Sequence, residues 1–351
     1  MSLLPTSVPA NFSTMAIHED QNDMSATQLP DEELTEWYSN ILPVYILCIA
    51  VLGIILNVFV LVVFCLHKKS CTVAEIYLSN LAAADLVLMI FLPFWAVYAA
   101  NNFDWPFGNH LCRLVTVAIN MNAYSSIYFI VLISIDRYMA LVHPLSHEGI
   151  RRPKYAKLLC VLVWGFGLVL SIPTLVYRRV LYNNYYNISQ CSHEQTLNEQ
   201  LLFDGLLTTF GFIIPIIIIF CCTLKIIQAL NNRFLGMLDT QMTEQKATTL
   251  IVVVLLAFMI CWVPFHVVKI LNMLLIANVL TAPSFRTNLL VCMQVFMYFA
   301  FFNSVLNPIL YMIVGKNFQG KVRELFKQWR HTRTSTLNST NTNPSMRSFS
   351  S

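Results

Sequence analysis

Charge is what this chain has least of. Asp, Glu, Lys and Arg together make up 11% of its 351 residues, where a water-soluble domain carries about 25%. Apolar residues make up 57% and the mean hydropathy is +0.62. A soluble globule is therefore excluded, and the surplus apolar surface must face lipid. Residues 1–43 hold no Lys or Arg. With no basic stretch leading into an apolar one there, no cleaved signal peptide is expected, and the first long apolar run should insert as its own signal anchor. No lysine lies in the last apolar run, 289–314, which excludes a retinal Schiff base and with it a light-driven pump. The two halves of the chain show no internal repeat of the kind secondary transporters carry. No nucleophile–base pair or metal-ligand cluster stands out, so no enzyme is expected, and nothing points to nucleic acid.

What is present is a set of seven long apolar runs: 42–66, 77–97, 111–141, 158–177, 201–229, 247–275 and 289–314. A bilayer core of about 30 Å needs about 20 such residues per helix. The fold class expected is therefore an all-α membrane protein, a seven-helix bundle spanning 42–314. An odd number of spans puts the two termini on opposite sides. Lys68, Lys69, Arg151, Arg152, Lys154, Lys157, Lys225, Arg233 and Lys246 flank three of the connections, and seven more cations follow from Lys316 onward; Arg113, Arg178, Arg179, Lys269 and Arg286 flank the others. Short loops rich in Lys and Arg stay in the cytoplasm, so the N-terminus is expected outside and the C-terminus inside, with the plasma membrane as the expected location.

The outer tail, 1–41, is polar and acidic, with Glu19, Asp20, Asp23, Asp31, Glu32, Glu33 and Glu36. It reads either as a solvated, disordered segment or as an electrostatic funnel for a cationic ligand. Asn11 and Asn187 each begin an Asn-X-Ser sequon on the expected outer face, where glycosylation is possible in chemical terms. In 315–329, Phe318, Val322, Leu325 and Phe326 recur at helical spacing with cations between them, the pattern of an amphipathic helix lying on an anionic leaflet. The Ser/Thr-rich remainder, 330–351, is expected to be a disordered cytoplasmic tail open to phosphorylation.

Ionisable groups inside a bilayer need a partner or a task. Asp85 lies in the second run, and Asn57, Ser126, Asn303, Ser304 and Asn307 are the polar side chains of other runs able to meet it. Two readings stand side by side: a site for a small cation such as sodium, or a hydrogen-bonded knot that ties helices together. Asp136-Arg137-Tyr138 ends the third run, and Glu244 begins the sixth at the same level. Arg137 can bond either carboxylate, as a two-state switch or as an ordinary juxtamembrane pair. Cys112 and Cys191 both fall on the oxidising side, so a disulfide is expected. Pro93, Pro173, Pro215, Pro264 and Pro308 interrupt helices and permit bending. His266 and Lys269, on the outer part of the sixth run, read as pocket-lining or snorkelling residues.

Taken as an ordered set, Asn57, Leu81-Ala82-Ala83-Ala84-Asp85, Cys112, Asp136-Arg137-Tyr138, Trp164, Pro215, Phe258, Cys261-Trp262-Val263-Pro264 and Asn307-Pro308 with Tyr311 resemble the rhodopsin-like receptor family over residues 40–328. The resemblance implies that Asp85, Ser126, Asn303 and Asn307 form a sodium pocket. It implies that Arg137 is the switch facing the G protein, with Asp136, Tyr138 and Glu244 around it. Trp262 would be the ligand-coupled toggle, Ile127, Pro215, Phe258 and Tyr311 the connecting core, and Pro144-Leu145 a wedge entering the G protein. Within that family Phe64-Cys65-Leu66-His67, Cys71 to Leu78, Leu92-Pro93-Phe94-Trp95-Ala96 and Asn101 to Trp105 are similar to bradykinin receptors. This similarity implies a small cationic, kinin-like peptide as ligand, with an angiotensin-like or chemokine-like peptide as the alternative. It further implies a Gq-class heterotrimeric G protein driving phospholipase C and calcium, receptor kinases and arrestin at the tail, and no cofactor beyond an allosteric sodium ion. Trp95, Asn120, Arg178, Phe265, Asn272 and Gln294 are the implied ligand-binding residues. The chain departs from the pattern at Asn272 and Leu290, where acidic residues are usual, at Pro283 in place of a cysteine, at Thr223 in place of a tyrosine, and in having no cysteine after Cys292.

Overall fold

The computed structural model describes residues 40–67, 71–142, 152–184, 187–234, 242–280 and 286–341. Among them run α1 (Leu42–Leu66), α2 (Val73–Ala100), α3 (Gly108–Val142), α4 (Pro153–Tyr177), β1 (Arg178–Asn183), β2 (Ile188–His193), α5 (Leu197–Thr208), α6 (Ile214–Phe234), α7 (Met242–Ile276), α8 (Arg286–Val314) and α9 (Lys316–Asn341). Seven spans are long and apolar enough to cross a membrane, α5 and α6 together forming the fifth. Each apolar run appears as a helix; the first keeps the bounds read from hydropathy, and the other six start a few residues earlier. Two of the early starts have a clear cause. Thr72 accepts from the Glu75 backbone N–H while Glu75 accepts from that of Thr72, and Thr196 with Glu199 does the same. Each reciprocal cap satisfies two donors that a helix start otherwise leaves bare.

The fifth span changes pitch at Thr209–Ile213, a π-helical turn in which the N–H of Ile214 reaches the carbonyl of Thr209. Pro215 has no N–H to offer the carbonyl of Gly211, and the wide turn is the local answer. Gly211 sits in it against the ring of Tyr124; a Cβ there would fall 2.6 Å from a ring carbon.

The interior is two large apolar clusters. One, around Ile127, Phe129, Phe258, Trp262, Tyr311 and Phe318, fills the expected cytoplasmic half. The other, around Leu88, Met89, Trp95, Tyr98 and Trp105, fills the opposite half. The outward faces are apolar as well: Val44, Val51 and Ile55 on α1, Leu158, Val161, Leu162 and Val169 on α4, and Ile260 on α7 are all exposed. Apolar surface of this extent does not stay open to water, and it faces the hydrocarbon.

Over one end of the bundle lies the antiparallel hairpin β1–β2, with Arg178 opposite His193 and Val180 opposite Cys191. The expected disulfide joins Cys191 to Cys112 at the start of α3, with Cα atoms 5.7 Å apart. Asn187 stands exposed at the hairpin turn with a positive φ of 56°, while Asn11 lies outside the described residues. At the other end α9 packs Phe318 edge-on against Phe59, Phe64 and Tyr311. Lys321 pairs with Glu75 at 2.9 Å and His67 with Glu324 at 3.0 Å. Phe326 and Trp329 are about three-fifths exposed, so the apolar stripe read from sequence divides, Phe318 turning inward and Phe326 outward. The helix continues to Asn341, past the boundary at 329, so the first part of the segment expected to be a disordered tail is helical.

Candidate functional site

Beneath the hairpin the helices enclose a cavity of about 230 Å³, and all six residues proposed to contact a ligand line it: Trp95, Asn120, Arg178, Phe265, Asn272 and Gln294. Arg178 is the first residue past α4 and is buried, 7% exposed. Its Nε donates to the sulfur of Cys191 at 3.4 Å, and its carbonyl accepts from Arg113 Nε at 2.9 Å. No carboxylate pairs with its guanidinium among the described residues. Burial pushes its pKa down to about 10, which leaves it a cation at neutral pH. Trp95 Nε1 donates to the hydroxyl of Tyr298 and Asn120 Nδ2 to that of Thr174. Phe265 meets Trp262 edge-on. Asn272 and Gln294 are buried on the wall, and the Oδ1 of Asn272 has no hydrogen-bond partner among the described residues.

The same cavity takes in Asp204 and His193, which sequence reasoning did not assign to it, and Lys269 and His266, for which it left pocket-lining open. Asp204 on α5 and Lys269 on α7 both line it, with Nζ of Lys269 3.0 Å from Oδ1 of Asp204. His266, one turn before Lys269's end of that face, stacks on Phe212 with ring centres 3.8 Å apart. His193, on the hairpin, is driven down to about 3 by burial first and then by the charge of Arg178, so it is neutral at physiological pH. Of the two readings open for Lys269 and His266, lining the pocket is the observed one.

Below the cavity the helices share a polar centre. Asp85 is fully buried. Its Oδ1 accepts from Asn122 Nδ2 at 2.9 Å, Ser126 Oγ at 3.4 Å and Ser304 Oγ at 2.8 Å, and its Oδ2 from Asn307 Nδ2 at 3.1 Å. Asn57 ties in through the backbone, donating to the carbonyls of Gly53 and Ser304. Of the adjacent pair Asn303 and Ser304, both read as able to meet Asp85, only Ser304 bonds it, since one residue along a helix turns a side chain by about 100°. Asn122 is the partner that was missed, although it lies one turn from Ser126 on the same face. Asn57, Asn303 and Asn307 each keep a buried carbonyl oxygen with no donor among the described residues. A carboxylate, two hydroxyls and several unsatisfied amide oxygens form a hard, all-oxygen set that suits a small alkali cation.

Between the cavity and the end of the bundle opposite the hairpin stand Phe258 and Trp262, stacked at 6.0 Å, with Ile127 and Tyr311 in the same cluster and Pro215 on the facing helix. The indole N–H of Trp262 and the hydroxyl of Tyr311 are buried without hydrogen-bond partners among the described residues. At the foot of α3, Arg137 pairs with its neighbour Asp136 at 2.9 Å, and Tyr138 follows them. Its other candidate partner, Glu244, belongs to α7 but its side chain lies outside the described residues, as do Pro144 and Leu145.

Comparison with known proteins gives this arrangement its family. The model of the 7 transmembrane receptor (rhodopsin family) matches residues 56–311. The chain is 44% identical to the B2 bradykinin receptor of Oryctolagus cuniculus over 85% of its own length and 82% of the relative's. It is 43% identical to the B2 bradykinin receptor of Homo sapiens over 86% and 78%, and 36% identical to the human B1 bradykinin receptor over 88% of each. With the seven spans and the Cys112–Cys191 bridge in place, the chain belongs to the rhodopsin family of seven-transmembrane receptors and is a multi-pass membrane receptor, not an enzyme.

Proposed function

We propose that this receptor binds a small kinin-like peptide at its extracellular face, with its N-terminus outside, and turns on a heterotrimeric G protein of the Gq class, raising phospholipase C activity and calcium. The observation that carries the reading is Arg178, a buried cation on the cavity wall with no carboxylate partner among the described residues. A buried charge without a counter-ion is costly, and a peptide's terminal carboxylate supplies one through charge-assisted, two-pronged hydrogen bonds. The names of the relatives favour a kinin over the angiotensin-like or chemokine-like alternative.

Ligand seated on Trp262 and Phe265 presses on the Phe258–Ile127–Tyr311 cluster, which ends at the Asp136–Arg137 pair. Release of Arg137 from Asp136 exposes a cation to the G protein, with Pro144 and Leu145 as the adjoining contact. A sodium ion held by Asp85, Ser126 and the neighbouring amide oxygens would supply positive charge that stabilises the resting arrangement. Receptor kinases and arrestin act at the Ser/Thr-rich tail, and Asn11 and Asn187 carry glycans.

The test is intracellular calcium in cells expressing the receptor, challenged with kinins, angiotensins and chemokines. A kinin response is expected at low concentration. Arg178→Ala should weaken it by roughly 30-fold or more, since a hydrogen bond to a charged group is worth about 2 kcal/mol. Amidating the peptide's C-terminus should weaken it on the unaltered receptor and cost little further on the variant. Silence to kinins with surface expression verified, or full sensitivity of the variant, overturns the reading.

A further inference from the structure

Among the described residues, the cavity wall holds two obligate cations, Arg178 and Lys269, against one carboxylate, Asp204. That carboxylate is already taken, at 3.0 Å, by Lys269 from the neighbouring span. The two side chains keep 30% and 22% of their surface, so the pair is open to the cavity rather than sealed beneath it. Helical spacing fixes Lys269 in this position: Trp262, Phe265, Lys269 and Asn272 recur along one face of α7, and all four line the cavity. His193 lies within electrostatic reach of Arg178, Asp204 and Lys269 together, which places the three charges around one part of the wall.

Among the described residues, a cationic group on a ligand can reach a counter-ion here only by displacing Lys269 from Asp204. It would then leave an unpaired ammonium in a cavity that already contains Arg178. A carboxylate meets no such obstacle. On the reading that the ligand is a peptide with a free C-terminus, we infer that the Asp204–Lys269 ion pair is a specificity determinant: it masks the wall's carboxylate, so that the receptor discriminates against a positively charged side chain in the residue that enters the cavity.

The test compares bradykinin, which ends in arginine, with the shortened peptide lacking that arginine, which ends in an uncharged residue, by calcium response and competition binding. The receptors are the unaltered protein, Lys269→Met, Asp204→Asn and the exchanged pair Asp204→Lys with Lys269→Asp, all matched for surface expression. Lys269→Met uncovers Asp204 and should shift the potency ratio at least tenfold toward the arginine-ended peptide. Asp204→Asn keeps a hydrogen-bonding partner for Lys269 but no charge, and should leave the ratio unchanged or move it the other way. The exchanged pair restores the mask and should return the ratio to within threefold of the unaltered receptor. Equal losses for both peptides in Lys269→Met, with no change in ratio, assign the pair a merely structural role and overturn the inference while the kinin reading stands. Silence of the unaltered receptor to both peptides overturns both.

Discussion

Replacing Asp85 by Asn and by Ala should give very different proteins, and the structure says by how much. Four side chains donate to the carboxylate, three to one oxygen and one to the other. An asparagine can set its carbonyl oxygen where the three donors converge. Its amide then faces Asn307, whose own Oδ1 is buried without a partner and can turn to accept. All four contacts survive and a buried charge is removed, so Asp85→Asn should fold within about 1 kcal/mol of the unaltered receptor. Alanine offers no acceptor. The hydroxyls of Ser126 and Ser304 can turn back to carbonyls of their own helices, but the Asn307 amide is left bare and the Asn122 amide, which keeps only its bond to Ser126 Oγ at 3.2 Å, loses one of its two acceptors, at about 1–3 kcal/mol each. The gap between the variants is therefore about 4 kcal/mol, or roughly 8 °C in unfolding midpoint at about 2 °C per kcal/mol. A thiol-reactive dye on purified receptor reads it, because Cys160 and Cys261 are free and buried until the bundle opens. Midpoints that coincide for Ala and Asn would refute the view that the carboxylate organises these donors. Run in sodium chloride and again in choline chloride, the same assay tests the ion: sodium should raise the midpoint of the unaltered protein and leave Asp85→Asn where it was.

Gly211→Ala puts a methyl group 2.6 Å from the Tyr124 ring at the π turn and should destabilise by about 1–3 kcal/mol, whereas Gly165→Ala, with nothing within 4 Å, should not; thermal unfolding separates them. His193 titrates near 6.5 in an unfolded chain and near 3 in the fold. Because the unfolded state takes up the proton first, stability is flat above pH 6.5 and falls as the pH drops below it, by up to about 2 kcal/mol at pH 5. His193→Gln should remove that part of the acid sensitivity and change nothing at pH 7.5, and a midpoint difference that is the same at both pH values would count against it.

The seven spans were legible because a bilayer dictates both their length and their composition, and no other arrangement of so few charges is stable. Their starts were misplaced where a local bond decides: Thr72-x-x-Glu75 and Thr196-x-x-Glu199 are visible capping patterns that hydropathy alone passes over. In the polar centre, Asp85 meets Ser126, Ser304 and Asn307, all read from the sequence as able to reach it, while Asn303, the letter beside Ser304, points in another direction. Asn122 was within reach of the spacing rule, since it precedes Ser126 by one helical turn. The Asp204–Lys269 pair was not legible, because it joins two spans whose rotation about their axes depends on packing throughout the bundle. The hairpin left little signal in so short a connection, and it is defined largely by what holds it to the helices beneath.

Those ties have a consequence for how receptors of this build can diverge. Besides the disulfide, the hairpin is fastened by Trp105 N–H to the Ser189 carbonyl, Ser189 N–H to Asp104, Val180 N–H to Asn109, and Arg113 to the Arg178 carbonyl. On the hairpin's side every one of these bonds uses backbone atoms, which every residue type but proline provides in full. Outward-facing positions such as Arg179 and Tyr182 can therefore drift freely from one lineage to the next while the roof of the cavity keeps its shape, and a new ligand preference can evolve there without the receptor first having to rebuild its entrance.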